Sequence, residues 1–299
     1  MKPEWIRVRA PAGGAWKHVD AVLERRGLHT VCDEARCPNK GECWGRGTAT
    51  FMILGDICTR GCRFCAVTTQ KEGRPVNAEE GKELALAAEE LNLDYVVLTS
   101  VDRDDLADRG SRHFAACVQS LRERGRAFKI EALIPDYYGG ELAAVLDAGP
   151  DVIAHNVETV RSLQPAVRDG RASFDKSLRT LREAKEGCRA PDGRTKTSLL
   201  LGLGETRDEV LACMDELRGA GVDILVMGQY LRPSKRQLPV SAYMSPEEFD
   251  RYRGEALARG FASVISAPLA RTSYHARQSY DESAGEKAPP VGAAECSVS

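Results

Sequence analysis

The segment Cys58-Thr-Arg-Gly-Cys62-Arg-Phe-Cys65 follows directly on an apolar, strand-like run, Ala49-Thr-Phe-Met-Ile-Leu-Gly55. Three thiols within eight residues, on a loop that carries an arginine and a glycine, are able to converge on one point, which is typical of a metal site. A closed structural zinc site takes four ligands, whereas a four-iron cubane held by three cysteines leaves one iron open for an exogenous ligand. The missing fourth cysteine therefore favours a catalytic iron–sulfur cluster, and a zinc-binding loop is the alternative.

A second set of three cysteines lies nearer the amino terminus, in the stretch Cys32-Asp-Glu-Ala-Arg-Cys37-Pro-Asn-Lys-Gly-Glu-Cys43. This set is again one ligand short of saturating a cubane or a zinc ion, so the two triads predict two clusters. The alternatives are that all six thiols bind zinc together, or that the second triad is partly structural. Six of the ten cysteines crowd into residues 32–65, which favours metal binding in a reducing compartment over a disulfide scaffold.

Length and composition are those of an ordinary soluble enzyme. The chain has 299 residues and a formal net charge of -2 at pH 7, which gives no support for wholesale nucleic-acid binding. Its apolar runs are far shorter than the roughly 18 residues that a membrane span needs. The amino terminus, Met1-Lys-Pro-Glu-Trp-Ile-Arg, has neither the apolar stretch of a signal peptide nor the composition of a transit peptide, so we expect a cytoplasmic setting.

Apolar runs alternate with amphipathic stretches from Thr48 onward, which is typical of strand–helix units around a parallel sheet. The predicted strands cover residues 49–55, 95–100, 128–134, 151–157, 196–203 and 223–229. The predicted helices cover residues 78–92, 111–124, 139–148, 173–187, 207–220 and 246–259. Three helix starts carry a capping side chain three residues before an acid: Asn77 with Glu80, Thr206 with Glu209, and Ser245 with Glu248.

Six such units predict an α/β fold, a partial (β/α)6 barrel of the TIM type. In these barrels the chemistry lies at the carboxyl ends of the strands, and the Cys58 loop comes just past the end of the first. The expected organisation is an irregular N-terminal extension with the second triad (1–48), the barrel (49–262), a C-terminal segment (263–280) and a disordered tail (281–299). The tail is rich in Pro, Gly, Ala, Ser and Glu, and we expect its Cys296 to be a free thiol without a role.

Residues 4–280 resemble the lipoyl synthases, a family of radical S-adenosylmethionine (SAM) enzymes that insert sulfur. The CxxxCxxC spacing with an aromatic before the last cysteine resembles the signature of the superfamily, and the pair of triads is specific to the family. The other stretches that carry the resemblance are Leu28-His-Thr-Val-Cys32, Cys37-Pro-Asn, Glu42-Cys43-Trp44, Gly47-Thr-Ala-Thr-Phe-Met-Ile-Leu-Gly-Asp56, Thr99-Ser-Val-Asp-Arg-Asp-Asp105, His155-Asn-Val-Glu-Thr159, Leu201-Gly-Leu-Gly-Glu-Thr206, Gly228-Gln-Tyr-Leu231 and Arg271-Thr-Ser-Tyr274.

The resemblance implies a barrel of the radical SAM type with two 4Fe–4S clusters. The cluster that binds and cleaves SAM is held by Cys58, Cys62 and Cys65. The auxiliary cluster is held by Cys32, Cys37 and Cys43, with a serine of an Arg-Ser-Ser-Tyr motif as its further ligand. That motif reads Arg271-Thr272-Ser273-Tyr274 here, so the matching ligand is Ser273, while Thr272 departs from the pattern. An alkoxide is a hard and uncommon ligand for cluster iron, which suits a bond that must break.

The implied activity is that of a sulfurtransferase, acting on an octanoyl chain in amide linkage to a lysine of a carrier domain. Deoxyadenosyl radicals from two SAM molecules abstract hydrogen from carbons 6 and 8 in turn, and each carbon radical attacks a sulfide of the auxiliary cluster, which is consumed. The product is the lipoyl group, in the final step of lipoyl cofactor biosynthesis. The protein's own part is mostly to position the reactants in a water-poor barrel.

Further SAM contacts are expected where strands end. Many radical SAM enzymes carry Gly-Gly-Glu after the second strand, where this chain has Thr99, Ser100 and Asp102. After the fifth strand, the adenosine-side motif GxIxGxxE reads Ser198-Leu-Leu-Leu-Gly202-Leu-Gly204-Glu205, with serine in place of the first glycine. Asn156 and Glu158 end the fourth strand. An ordinary strand-to-helix turn is the alternative for any one of them, and His155 is either catalytic or a satisfied core histidine.

The resemblance also implies partners. These are octanoylated lipoyl carrier domains (the acyltransferase subunit of a 2-oxoacid dehydrogenase, or the glycine cleavage H protein), an electron donor such as flavodoxin or ferredoxin, and a carrier that rebuilds the auxiliary cluster; neither nucleic acid nor a membrane is expected. A basic stretch, Arg161 through Arg168 with Arg171, Lys176 and Arg179, is able to meet an acidic carrier. A solvated helix face explains the same charges.

Two rival functions share some of these features. Another two-cluster radical SAM reaction, such as methylthiolation, predicts an appended substrate-binding module, and none is visible in the sequence. A cluster-bearing electron carrier or a zinc-stabilised scaffold needs fully capped metal, which two three-cysteine sets disfavour.

Overall fold

The computed structural model describes residues 2–6, 14–45, 50–125 and 127–285. Its strands are β1 (His29–Thr30), β2 (Thr50–Ile53), β3 (Ile57–Cys58), β4 (Thr68–Thr69), β5 (Tyr95–Ser100), β6 (Lys129–Leu133), β7 (Val152–Ala154), β8 (Arg194–Leu201), β9 (Ile224–Gln229) and β10 (Ser263–Ser266). Its α-helices are α1 (Gly14–Arg26), α2 (Val31–Glu34), α3 (Lys40–Gly45), α4 (Glu80–Glu90), α5 (Ser111–Glu123), α6 (Gly140–Asp147), α7 (Gln164–Val167), α8 (Phe174–Gly187), α9 (Arg207–Gly219), α10 (Pro246–Ala258) and α11 (Ala276–Ser283), and a 3-10 turn, Arg161–Leu163, precedes α7.

The main sheet has the strand order β1-β2-β5-β6-β7-β8-β9-β10. All neighbours in it are parallel except β1, which runs antiparallel to β2 with His29 opposite Met52. An amphipathic helix follows each of the strands from β5 to β9 and packs on the outer face of the sheet. The strands are therefore buried on both sides. The predicted α/β fold, a partial barrel of six strand–helix units, is confirmed.

The barrel extends further than the sequence indicated. The strand β10 pairs in parallel with β9, with Ser263 opposite Ile224, so the sheet continues past residue 262, the predicted end of the barrel. This strand has only two strongly apolar residues between serines, Val264 and Ile265, and such a short run gives little periodic signal.

The amino-terminal extension is also more regular than expected. Residues 14–26 form α1, whose buried residues Val19, Val22 and Leu23 join the core beside α4. Arg26 then pairs with Glu83 and Glu90 of α4. The prediction of an irregular leader is therefore wrong for this stretch, while the predicted strand start at residue 49 lies outside the described residues.

Two of the three predicted helix caps are confirmed. Thr206 with Glu209, and Ser245 with Glu248, form complete capping boxes. The third prediction is wrong, because Glu80 turns away from Asn77 and accepts a hydrogen bond from the Leu54 backbone N–H at 2.9 Å. Leu54 has a φ of 67°, unusual for a residue with a side chain, and leads directly into the cysteine loop. Glu80 thus helps to fix the turn that starts this loop.

The barrel interior contains a fully buried ion pair. Lys196 of β8 donates to both carboxylate oxygens of Glu131 on β6 at 2.9 Å, and the Tyr95 hydroxyl donates to the same carboxylate at 2.7 Å. Side chains alternate along a strand, so Lys196 and Ser198, like Glu131 and Leu133, share the inner face. The ion pair therefore forms the floor beneath the carboxyl ends of the strands.

The helix α11 closes the lower part of the barrel interior. Tyr280 packs against Tyr95 and accepts a hydrogen bond from Lys129 at 3.0 Å, while Glu282 accepts one from Ser263 of β10. Residues 281–283, which were predicted to belong to a disordered tail, lie instead in α11, and Asp281 is buried. Residues 286–299, with Cys296, lie outside the described residues. No described helix combines the length and the apolar character that crossing a bilayer requires.

Candidate active site

A cavity of about 540 Å³ opens at the carboxyl ends of the parallel strands. Both predicted cysteine triads line it, and each of the six cysteines is a free thiol. Ser273 lines the same cavity, as do Thr99, Ser100, Asp102, Asn156 and Glu158. Residues from five segments of the chain that the sequence singled out are thus brought to one place, at the carboxyl-end edge of the barrel.

The Cys58 loop is held by backbone hydrogen bonds that point at sulfur. It leaves the barrel through the short parallel pair β3–β4, in which Cys58 lies opposite Thr69. The Cys58 sulfur accepts the Arg60 N–H, and the Cys62 sulfur accepts the Asp169 N–H, each at 3.4 Å. Backbone donors of this kind stabilise negative charge on sulfur, so the loop suits thiolate ligands of an iron–sulfur cluster.

Burial makes these thiols hard to ionise by themselves. Removal from water raises the pKa of Cys58 and of Cys65 to about 12, and that of Cys32 to about 11. It also raises the pKa of Cys62 and Cys37. A buried thiolate needs a cation beside it, which iron supplies, so the donor set fits the two clusters that the triads predict.

An arginine that the sequence analysis did not assign organises the loop. Arg60 is 5% exposed and makes a two-pronged contact with Asp104 at 2.8 Å. It also contacts Asp136 at 2.9 Å and Asp102 at 3.3 Å. Burial raises the pKa of Asp102, while Arg60 acts in the opposite direction. The sequence does contain a signal for this ion-pair cluster. The arginine lies inside the cysteine loop, and a run of acids follows directly after the next predicted strand.

Ser100 offers a polar group to the cavity. Its hydroxyl is buried and has no hydrogen-bond partner among residues 2–6, 14–45, 50–125 and 127–285. A buried hydroxyl without a partner is uncommon and indicates a missing ligand or water. Thr99 and Asp102, from the same strand end, line the cavity with Ser100.

The second triad is built on the small helices α2 and α3 and is tied to the carboxyl-terminal segment. The Asn39 side chain donates to the Leu269 carbonyl at 2.7 Å, and the Tyr274 hydroxyl donates to Glu42 at 3.3 Å. Ser273 lies between these two ties. Its hydroxyl makes no hydrogen bond to any residue of the described part of the chain, so it is available as a ligand.

Arg271 connects the two sides of the cavity. Burial lowers the pKa of this guanidinium, while the Cys37 thiolate and the Glu158 carboxylate oppose that shift. Conversely, Arg271 favours the thiolate form of Cys37. In the sequence Arg271 is recognisable only as part of a motif, and nothing there indicates this electrostatic role.

Glu158 stands at the end of β7 in an unusual conformation. Its φ is 70°, and its backbone pairs with β8 through the Ser198 carbonyl and the Leu200 N–H. Such strain in a residue with a side chain often marks a functional site. Burial raises the pKa of Glu158, and Arg168 partly offsets this. Glu158 and Asn156 line the cavity after β7, two strands along the sheet from β5, which carries Ser100.

His155 is a satisfied core histidine. Its Nδ1 lies 3.0 Å from the Ile134 carbonyl and its Nε2 lies 2.8 Å from the Ser177 hydroxyl, so both ring nitrogens are engaged. Burial lowers its pKa to about 4, so the ring is neutral at pH 7. Of the two alternatives, the structure favours the structural role.

The remaining predicted cofactor contacts lie outside the cavity lining. The Glu205 carboxylate accepts the backbone N–H groups of Gly202 and Leu203, and so caps its own turn. A Cβ at Gly202 would meet Gln229 and the Ala242 carbonyl, which explains the glycine by packing. Gly204 has a φ of 121°, which favours glycine. These three positions are explained without a cofactor.

The two departures from the family motifs meet each other. The hydroxyls of Ser198 and Thr272 are 2.9 Å apart, and Thr272 also donates to the Asn156 side-chain oxygen at 3.1 Å. A hydroxyl has one proton, so Ser198 is the donor to Thr272. This pair links the segment that carries Ser273 to Asn156 and to β8.

We expect Ser198→Ala and Thr272→Val to be coupled in stability. Removing either hydroxyl leaves a buried partner unpaired, so each single change is expected to cost about 1–3 kcal/mol of unfolding free energy in the metal-free protein. The double variant is expected to cost less than the sum by at least about 0.5 kcal/mol, as measured by urea unfolding. The matched control is Thr180→Val, because the buried Thr180 hydroxyl has no described partner. Strictly additive effects would contradict the coupling.

The basic stretch considered for carrier docking is compensated within the chain. Arg161 pairs with Asp175 and Glu216. Arg171 pairs with Asp169, and Arg179 with Glu183. Arg168 is buried and donates to Ser177, and Lys176 donates to the Arg171 carbonyl. The alternative of a solvated helix face is therefore favoured for these charges.

Comparison with known proteins agrees with this geometry. Residues 52–217 match the Radical SAM superfamily. A lipoyl synthase of Deinococcus radiodurans is 51% identical over 280 residues, covering 93% of this chain and 84% of that protein. One from Thermus thermophilus is 50% identical over 277 residues, covering 92% and 85%. A mitochondrial lipoyl synthase of Vitis vinifera is 50% identical over 289 residues, covering 94% and 73%.

Solved structures support the fold. The FeFe-hydrogenase maturase HydG from Carboxydothermus hydrogenoformans superposes with a TM-score of 0.58 at 15% identity, covering 77% of this chain and 56% of that one. Methylornithine synthase superposes with a TM-score of 0.53 at 16% identity, covering 86% and 79%. At these identities the likeness concerns the barrel alone.

Proposed function

The chain belongs to the lipoyl synthase family of radical SAM enzymes, and on that premise we propose which of its residues carry the family's reaction. That reaction inserts two sulfur atoms at carbons 6 and 8 of a protein-bound octanoyl-lysine, with SAM and two 4Fe–4S clusters. The observation that carries the proposal is that both cysteine triads and Ser273 line one cavity.

The SAM-cleaving cluster is assigned to Cys58, Cys62 and Cys65, and the auxiliary cluster to Cys32, Cys37, Cys43 and Ser273. When bound, these groups supply the carbon-centred radical chemistry and the sulfide. The N–H donors on the Cys58 and Cys62 sulfurs, the unpartnered Ser273 hydroxyl and the positive charge of Arg271 beside Cys37 support this division.

The remaining cavity residues bind and orient the reactants. We assign SAM contacts to Thr99, Ser100 and Asp102 at the end of β5 and to Asn156 and Glu158 after β7. Arg60 fixes the position of Asp102 relative to the Cys58 loop through its contacts with three acids. Leu133, Leu200 and Val226 add an apolar surface that suits an octanoyl chain and excludes water.

The substrate is then an octanoylated lipoyl carrier domain, of a 2-oxoacid dehydrogenase acyltransferase subunit or of the glycine cleavage H protein. An external electron donor and a cluster-rebuilding carrier belong to the same proposal, because each turnover needs electrons and consumes sulfide. The six free thiols support a reducing, cytoplasmic setting.

The test is an anaerobic assay. Protein reconstituted with iron and sulfide is incubated with SAM, a strong chemical reductant and a short octanoyl-lysyl peptide, and the peptide is analysed by mass spectrometry. We expect a peptide that has gained two sulfur atoms, as the dithiol under the reductant and two hydrogens lighter once it is oxidised to the dithiolane. SAM cleavage with an unchanged peptide would refute the auxiliary-cluster assignment, and intact SAM would refute the assignment of the Cys58 triad.

A further inference from the structure

One side of the cavity mouth carries four exposed basic side chains. Arg63 belongs to the Cys58 loop, and Arg232, Lys235 and Arg236 belong to the segment 230–240 that follows β9. We call these four residues the basic rim. Arg232 itself lines the cavity, together with Leu231 and Pro233.

The charges of the basic rim are not neutralised by the chain. The Arg63 guanidinium donates to the Ala166 carbonyl, and Arg232 donates to the carbonyls of Lys235 and Gln237. No carboxylate of the described residues lies in ion-pair contact with any of the four. This contrasts with Arg161, Arg171 and Arg179, which each face an acid. Because the whole chain has a net charge of -2, the rim is a local feature.

The basic rim is fixed relative to the cluster loop. The Leu238 N–H donates to the Arg63 carbonyl at 3.0 Å, and the Gln237 side chain donates to the Cys65 carbonyl at 3.0 Å. The Tyr230 hydroxyl donates to the Leu238 carbonyl at 2.8 Å. Below these bonds, Leu238 and Val240 pack with Phe64 and Tyr230. A partner seated on the rim is thereby held at a defined place beside the cavity.

We propose that the basic rim is the docking surface for the protein that carries the octanoyl-lysine, and that this protein presents an acidic surface around its acylated lysine. The inference rests on the proposed function. An octanoyl amide is neutral and cannot be attracted by cations, so the charge that the rim recognises belongs to the carrier surface. Complementary charge of this kind speeds encounter and sets the orientation of docking, here with the acyl chain toward the cavity.

The test reverses charge at Lys235 and Arg236, which lie outside the cavity lining. The probes are an octanoylated H protein and a short octanoyl-lysyl peptide. For Lys235→Glu/Arg236→Glu we expect the KM for the H protein to rise at least about tenfold, while kcat and the KM for the peptide stay unchanged. The Kd of the metal-free variant for the same H protein, measured by calorimetry, is expected to rise in parallel and to lose most of its salt dependence.

The matched control is Arg182→Glu/Arg251→Glu, the same charge change on the outer helices α8 and α10. An equal rise in the control, or an unchanged Kd in the rim variant, would overturn the docking surface. So would a loss of affinity confined to a nucleic-acid probe. If the wild type binds the H protein through the rim but converts neither substrate, the docking surface stands and the proposed residue assignment fails.

Discussion

Replacing Ser273 with cysteine is expected to leave both clusters in place and to stop formation of the lipoyl product. The hydroxyl of Ser273 is without a hydrogen-bond partner in the described chain and lines the cavity with the second triad. A thiolate is a softer ligand than an alkoxide and binds iron more firmly. A fourth thiolate would therefore complete a closed set of the kind that carries electrons and keeps its sulfide.

The expected loss of product is at least about 100-fold, or about 2.7 kcal/mol in the barrier. SAM cleavage is expected to continue, because the Cys58 triad is untouched. Mass spectrometry of the peptide measures the product, deoxyadenosine release measures SAM cleavage, and iron analysis with Mössbauer spectroscopy measures retention of the auxiliary cluster. Thr272→Ser, which restores the family residue one position earlier, is the control and is expected to keep activity. Normal turnover in Ser273→Cys would remove the serine from the mechanism.

The barrel was predictable because its signals are local. Buried parallel strands such as β5 and β9 read as continuous apolar runs, and the boxes at Thr206 and Ser245 mark helix starts within four residues. The triads were predictable for the same reason, since ligand spacing is a property of short segments. Where local signals were weak, as in β10 and α1, the elements themselves were missed.

Contacts between distant segments were not predictable. Arg60 meets Asp136 across 76 residues, and Ser198 meets Thr272 across 74, so neither pairing leaves a pattern in a short window. The acids that neutralise Arg161, Asp175 and Glu216, lie 14 and 55 residues further along the chain, so their pairing with this arginine was not visible in a short window. The basic rim, whose charges stay unpaired among the described residues, lies mainly on the segment 230–240. Nothing in the sequence distinguished its arginines and lysine from ordinary surface charges.

Single cysteine changes in the two triads are expected to give opposite results. The triads are separate in the chain, and their sulfurs receive hydrogen bonds from different segments, such as Asp169 for Cys62. Cys58→Ala is expected to abolish SAM cleavage and, with it, every later step. Cys37→Ala is expected to keep SAM cleavage and lose sulfur insertion, because only the auxiliary cluster depends on that thiol.

Iron content and reaction products together measure this prediction. Each variant is expected to retain about half of the roughly eight irons of the wild type, four for each cubane. Deoxyadenosine then reports SAM cleavage and the peptide mass reports sulfur insertion. Cys188→Ala is the control, because Cys188 is a free thiol outside the cavity lining, and it should behave as the wild type. If Cys37→Ala also stops SAM cleavage, or if one change removes all iron, the six thiols act as one metal site. That result would favour the alternative in which all six thiols bind zinc together, because two independent cubanes would each lose iron separately.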